Sequence, residues 1–391
     1  MRAVALAIIL ALAPACAFAA DVYYIANGAT QTINELGTCK KVTNNAGAEI
    51  MVPTGAANEW YTGGKSFIEH PPAGVTLAAC GTCSWTKLTS LGTAAWYGSA
   101  VSADGTHLLL GQTESAQTSI NGAVYYSSNG GTSWAKSNAP GDQYTYFTNF
   151  YDGVHAVTVG GYPYRTADGG ATWTKANYGV LTHRGVVASN DGSKVIMETD
   201  LDSSFKYFYT STNYGSSFTE RTNANHKWQD VASNGAGTKA AAVIQGNNIF
   251  VSTNFGASSW TQETGSPNGS WSSITMSNDG TKLAATLASG GIYTSSDGGT
   301  TWALQSGAGS RTWNSIRMSA DGSRIVATAR GDYLYVSTDG GVTWSAQTDV
   351  GAPPYWGNAS ISADGKTILA PIEYSAISPY TNAYAWLGKC P

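Results

Sequence analysis

The chain predicts an all-β fold, a seven-bladed β-propeller of four-stranded blades, and three observations carry that prediction. The first is a short box repeated six times: Ser127-Ser-Asn129-Gly-Gly131-Thr-Ser133-Trp134, Thr166-Ala-Asp168-Gly-Gly170-Ala-Thr172-Trp173, Ser211-Thr-Asn213-Tyr-Gly215-Ser-Ser217-Phe218, Ser252-Thr-Asn254-Phe-Gly256-Ala-Ser258-Ser259-Trp260, Ser295-Ser-Asp297-Gly-Gly299-Thr-Thr301-Trp302 and Ser337-Thr-Asp339-Gly-Gly341-Val-Thr343-Trp344. Its closing aromatic falls at 134, 173, 218, 260, 302 and 344, a period that spans one four-stranded blade. The second is an aromatic or His followed eight residues later by a turn. Trp96 leads to Asp104-Gly105, Tyr144 to Asp152-Gly153, His183 to Asp191-Gly192, Trp228 to Ala236-Gly237, Trp271 to Asp279-Gly280, Trp313 to Asp321-Gly322 and Trp356 to Asp364-Gly365. That makes seven units. The third is Ser84-Trp85-Thr-Lys-Leu, which matches the strand after a box, as in Thr172-Trp173-Thr-Lys, but has no blade of its own.

In chain order, the first element is a leader. Met1-Arg2, the apolar run Ala3 to Leu12 and the small residues Ala17 to Ala20 have the three-part form of a secretory signal over residues 1–20, too short to span a bilayer. Residues 21–82 follow as an N-terminal extension with Pro71-Pro72, many Gly and Ala and no blade pattern. Residues 83–391 are the propeller. Each blade reads as an aromatic start, strand A, an Asp-Gly turn, strand B, a loop, strand C, the box and strand D. Segments such as Lys282-Leu-Ala-Ala-Thr-Leu and Gly291-Ile-Tyr-Thr-Ser are short, β-branched or aromatic and bounded by Gly, Asn and Asp, which is strand chemistry. Asp-Gly between two such runs forms a hairpin because Gly tolerates positive φ.

The box has a mechanical reading. Asn129, Asp168, Asn213, Asn254, Asp297 and Asp339 are placed to accept hydrogen bonds from backbone amides of their own turn, and the flanking Ser or Thr closes the same network. The pattern Ser-x-Asp-x-Gly-x-Thr-Trp resembles the Asp-box, or bacterial neuraminidase repeat, over residues from about 84 to 387. The resemblance implies the propeller fold. It leaves activity open, because the repeat occurs in sialidases, xyloglucan-degrading hydrolases, sortilin-type receptors and photosystem II assembly factors.

Six boxes and seven A-to-B turns leave one blade incomplete. Residues 84–88 are therefore assigned as strand D of the last blade, so that both ends of the chain share one sheet and no edge stays open. That arrangement sets Cys390 beside Cys83 and leaves Cys39 for Cys80; removal of the leader leaves these four cysteines, an even number suited to an oxidising compartment. Cys80-Gly-Thr-Cys83 also has the spacing of a redox or metal pair, but neither two further ligands nor a βαβ context accompanies it.

Charged residues make up 12% of the chain, with 13 Trp and 22 Tyr and a net charge of −4. Such a surface has little attraction for phosphate backbones, so nucleic acid is excluded as a partner. The segments after the leader are too short of apolar runs to cross a membrane, no motif calls for a cofactor or metal, and a monomer is expected. Trp96, Tyr144, His183, Trp228, Trp271, Trp313 and Trp356 start the innermost strands, where they either ring the mouth of the channel for a glycan or protein ligand or wedge between blades.

The sialidase resemblance implies three converging arginines, a Tyr–Glu pair, an acidic Asp and an Arg-Ile-Pro string. The nearest string is Tyr162-Pro-Tyr164-Arg165, and Arg184, Arg311 and Arg330 are candidates for the arginines. A glycosidase needs two facing carboxylates. Glu114, Glu198, Asp200, Asp202, Asp332 and Glu373 stand on suitable loops, and Glu198-Thr-Asp200-Leu-Asp202 is the densest group. The balance favours an exported, non-catalytic binding propeller that recognises a glycan or extracellular protein, in a secreted, periplasmic or cell-surface setting; a glycoside hydrolase and an assembly factor of the photosystem II type are the alternatives.

Overall fold

The computed structural model describes residues 83–113, 122–141, 144–148, 150–177, 185–198, 207–222, 226–351, 355–374 and 383–391, and eight short strands before residue 83. The chain divides into two units, 1–83 with Pro391 and 84–390. In the first, Gln31–Leu36 pairs antiparallel with Cys39–Asn44, which pairs with Glu49–Pro53, while Val75–Thr76 joins the other edge in parallel. Glu59–Thr62 and Lys65–Ile68 form a separate hairpin. Ile8–Ile9 of the leader pairs with Asp21–Val22 of the extension; the rest of the leader lies outside the described residues, as does Cys80 and with it the pairing assigned to Cys39.

The second unit is a ring of seven four-stranded antiparallel blades. Strand A of blades 1 to 6 runs Trp96–Val101, Tyr144–Phe147, Val186–Ala188, Trp228–Ser233, Trp271–Met276 and Trp313–Met318; in blade 7 it is split into Tyr355–Trp356 and Ser360–Ile361. Blade 5 is representative: Trp271–Met276, Leu283–Leu287, Ile292–Ser295 and Ala303–Gln305 lie in sequence order from centre to rim. No α-helix occurs among the described residues, where three single 3-10 turns, Thr89–Leu91, Ser306–Ala308 and Thr348–Val350, join a strand D to the next strand A.

The ring closes as the orphan strand implied. Ser84–Lys87 pairs antiparallel with Ala385–Lys389, matching Trp386 with Lys87 and Lys389 with Ser84. In six blades a box turn joins strand C to strand D. In the seventh, a disulfide between Cys83 and Cys390 stands in that place.

The hydrophobic core lies between blades, because each sheet turns its faces to its neighbours. Trp271 is fully buried among Ala241, Val243 and Val251 of blade 4 and Ile274, Leu283 and Ala285 of its own blade. Trp96, Trp228, Trp313 and Trp356 are buried to 2% exposure or less, and Trp96 packs with Leu369 and Leu387 of blade 7, sealing the closure seam. Burying such rings stabilises each seam by a few kcal/mol.

The face that carries the boxes is uniform. In each Asp-type box the carboxylate accepts the amide of the residue four on, as Asp297 Oδ1 does from Thr301 at 2.9 Å, while Ser295 Oγ accepts the Gly299 amide at 2.9 Å and Trp302 Nε1 donates to Gly299 O at 2.7 Å. Asn129, Asn213 and Asn254 repeat the pattern. Box glycines adopt positive φ, 77° at Gly298 and 100° at Gly299, which only Gly takes without strain.

Five of the A-to-B turns make a second repeated set. Ser102 Oγ donates to Asp104 Oδ1 at 2.6 Å and accepts the His107 amide at 2.9 Å, and Ser277, Ser319 and Ser362 do the same in their blades. A cation three residues after the turn Asp or its equivalent then reaches into the next blade. Lys194 donates to Gly237 O, Lys239 to Gly280 O and Gly298 O, Lys282 to Asp321 O and Arg324 to Gly365 O. Backbone bonds also run from blade to blade, Asn190 to Gly235, Gly235 to Asn278, Asn278 to Ala320, Ala320 to Ala363, Ala363 to Ala103 and Ala103 to Tyr151. Seven backbones at strand spacing make a collar roughly 11 Å across at this end of the channel.

Candidate functional site

Strand A carries a repeated irregularity that positions the central polar groups. Its register shifts just after the first residue in blades 1, 2, 4, 5, 6 and 7. A bulge bends the strand and re-aims the side chains beyond it. Two residues after the aromatic or His stands a polar residue or glycine in every blade: Gly98, Tyr146, Gly185, Asp230, Ser273, Ser315 and Asn358. The innermost strand has a free edge toward the axis, and at two of these positions, Asp230 and Ser273, the side chain caps an exposed amide of the next blade.

Asp230 is the hub. Its Oδ1 accepts the Val231 amide at 2.9 Å, and its Oδ2 accepts Ser273 Oγ at 2.6 Å, the Ile274 amide of blade 5 at 3.1 Å and Arg317 Nη1 of blade 6 at 3.2 Å. Ser273 Oγ in turn accepts the Ile316 amide at 3.2 Å and Arg317 Nη1 at 3.0 Å. On the other side of the ring, Ser99 Oγ donates to Asn358 O at 2.7 Å and lies 2.8 Å from Ser360 Oγ. The axis is thus bound by a polar belt across at least blades 4, 5, 6, 7 and 1. Burial pushes the Tyr146 phenol well above its ordinary range, and its hydrogen-bonded neighbour Tyr97 and the carboxylates of Asp230 and Glu198 add to that rise.

Glu198 lies at the heart of this belt rather than on a solvated loop. It is fully buried, and a Cβ placed on Gly185 would stand 3.5 Å from both Glu198 Cγ and Asp230 Oδ1. Both are at ordinary van der Waals distance from that position, so Gly185, Glu198 and Asp230 pack together. Beneath the belt, residues from all seven innermost strands enclose a channel of ≈ 90 Å³, with Arg317 in its wall.

The aromatics at the strand starts do not ring an open mouth. Trp96, Trp228, Trp271, Trp313 and Trp356 lie between sheets, and the indole N–H of Trp271, Trp313 and Trp356 donates to Asn247 O, Gly290 O and Asp332 O in the preceding blade. Sheet faces look sideways, so a side chain there enters a seam and not the channel. Tyr144 falls in a strand whose side chain is undescribed at that point, and His183, Arg184, Asp200, Asp202 and Glu114 lie outside the described residues. Arg311 pairs with Asp332 at 2.9 Å, sits 4.3 Å over the Tyr335 ring and 5.6 Å from that of Trp313, and donates to Ala308 O. Arg330 is exposed. Burial raises the Glu373 carboxyl above its usual range and the nearby Arg330 partly offsets this. Asp230, Ser273 and Arg317 were not among the sequence candidates; a polar residue two places after the aromatic marks Asp230 and Ser273, but Arg317, four places after Trp313, carries no such mark.

Ring, blade count, boxes and closure define the class: the chain is a seven-bladed β-propeller built on Asp-box repeats. The BNR/Asp-box repeat family model matches residues 335–346. Among solved structures, YCF48 from Cyanidioschyzon merolae is 18% identical with a TM-score of 0.58, over 79% of this chain and 99% of that one. YCF48 bound to D1 peptide is 16% identical with a TM-score of 0.57, over 79% and 97%, and Kuenenia stuttgartiensis hydrazine synthase is 10% identical with a TM-score of 0.56, over 76% and 96%. At these identities the likeness is one of fold. No curated protein matches the chain.

Proposed function

We propose that this is a non-catalytic binding propeller, exported by its leader, whose loop face recognises a segment of a partner polypeptide. One observation carries the reading: length variation is confined to one face. The box and A-to-B turns repeat with little change, and on the opposite face the B-to-C connections 161–163, 245–248, 288–291 and 330–333 are minimal. Connections 113–122, 199–207 and 375–384 are far longer, and two of them belong to neighbouring blades 1 and 7. Unequal loops on a rigid scaffold are how one fold takes specific partners. YCF48, a propeller of the same fold, has been solved with a D1 peptide bound, which supports a peptide as the ligand class.

The test sets a peptide array beside a glycan array, using the exported form and a variant with residues 376–381 replaced by Gly-Gly. Binding to peptides that is lost in the shortened variant, at unchanged melting temperature, supports the reading. Glycan signal alone would reassign the ligand, and release of a chromogenic aglycone from sialyl or glucosyl substrates would make the protein a hydrolase instead.

A further inference from the structure

We propose that the central channel holds a carboxylate-binding point at Arg317, distinct from the loops to which partner recognition is assigned. The Arg317 side chain is 29% exposed, whereas that of Asp230 beside it is 6% exposed, so solvent reaches the guanidinium and not its counter-ion. Only one of its nitrogens is engaged among the described residues: Nη1 donates to Asp230 Oδ2, Ser273 Oγ and Ile316 O. The Nε–Nη2 edge is left, and that edge offers two parallel N–H groups that match a carboxylate in bidentate fashion. Asp230 pairs with Nη1 alone, so the donors of the other edge stay available to a second acceptor.

The cavity sets the size of the ligand. Its ≈ 90 Å³ is the room of about three waters, enough for a carboxylate and a methylene or two but too small for a sugar ring. Polar residues Ser99, Thr148, Ser233, Thr275 and Ser360 share the lining with apolar Val231, Ile274 and Met318. A carboxyl head on a short aliphatic stem fits both. Its source is a free small carboxylate of acetate size or an Asp or Glu side chain inserted by a partner.

The experiment tracks the arginine Nε–Hε resonances of the ¹⁵N-labelled protein, the Arg317 signal being identified by its loss in Arg317→Lys. Sodium acetate is titrated against sodium chloride at matched ionic strength, followed by acetyl-Gly-Asp-Gly-amide against its Asn counterpart. Acetate is expected to move the Arg317 signal saturably and chloride to leave it in place. Arg317→Lys should weaken acetate binding at least tenfold, read from channel-lining amides such as Thr275. A saturable response to the Asp peptide and not the Asn peptide identifies an inserted side chain as the source; response to acetate with neither peptide identifies a free carboxylate. Equal shifts with acetate and chloride, or an acetate shift that grows without saturating, overturn the proposal on the unaltered protein, whatever the stability of the variant.

Discussion

Substituting Asp230 should cost this propeller more than any surface carboxylate, and the structure sets the size of the loss. Asp230→Ala strips acceptors from two backbone amides, Val231 and Ile274, from the Ser273 hydroxyl and from Arg317. A buried donor left without an acceptor costs about 1–3 kcal/mol. Solvent at the partly exposed Arg317 recovers some of this, giving a total of about 3–5 kcal/mol, in the range found when one partner of a buried ion pair is removed. For a domain of this size that lowers Tm by about 5–8 °C. Asp230→Asn should cost less, since a turn about χ2 sets its amide oxygen at the Oδ2 position to keep the Ser273, Ile274 and Arg317 bonds, leaving the Val231 amide without an acceptor and Arg317 without a counter-ion. Pairing Asp230→Leu with Arg317→Met should recover a good part of the loss, because it removes the stranded cation along with the carboxylate. Calorimetry of the four proteins is the assay. An Ala variant that melts within about 2 °C of the unaltered protein would refute the idea that this carboxylate holds the inner strands of blades 4, 5 and 6 together.

Cys390→Ser should lower stability by about 5 kcal/mol on loop-entropy grounds, since the bridge closes some three hundred residues; a reducing agent should reproduce the loss in the unaltered protein and cost the propeller of the variant much less. Lys239→Met removes the donor to Gly280 O and Gly298 O at the seam of blades 4 and 5 and should cost about 1–3 kcal/mol, with hydrogen exchange rising at the amides of residues 280 and 298 before those of blade 1. Acid should unfold the ring through its turns. Asp104 is held down at about 2 by the Ser102 hydroxyl and then by the Thr106 amide, and Asp279 equally at about 2 by Ser277 and then Thr281. Carboxylates held low when folded lend stability above their unfolded value near 4, and lose it as pH falls toward 2. Denaturant midpoints should therefore be flat from pH 7 to about 5 and drop steeply below 4, with Ser277→Ala flattening part of that drop.

Much of the fold could be read directly because its signals are local. A box needs Ser, Asp and Gly within a few residues of one another, so Ser295, Asp297 and Gly299 identify their turn without help from the rest of the chain, and the spacing of such turns counts blades. The closing strand was visible because Ser84-Trp85 has the residue types of a strand D just past its box. The polar belt was harder. Asp230, Ser273 and Arg317 come from three blades separated by more than forty residues each, and what brings them together is a bulge that appears only once strands pair. The tryptophans were ambiguous for the same reason: Trp271 and Trp313 have the residue type of a ligand-stacking ring and the surroundings of a core, and only the sideways aim of the sheet faces decides between them. Lys239 and Arg324 look like ordinary solvated cations until the neighbouring blade supplies its carbonyls.

The bridge between Cys83 and Cys390 gives the polypeptide of the toroid no loose end from which to unravel. Tension applied across its two extremities travels through a covalent link, not through the hydrogen-bonded pairs of the last sheet, so extension would leave the wheel intact until that link is cut. A circle of this kind has no obligatory starting point: a gene rearranged to begin inside any box turn, such as between Gly298 and Gly299, with a short peptide in place of the sulfur link, should still yield the same wheel.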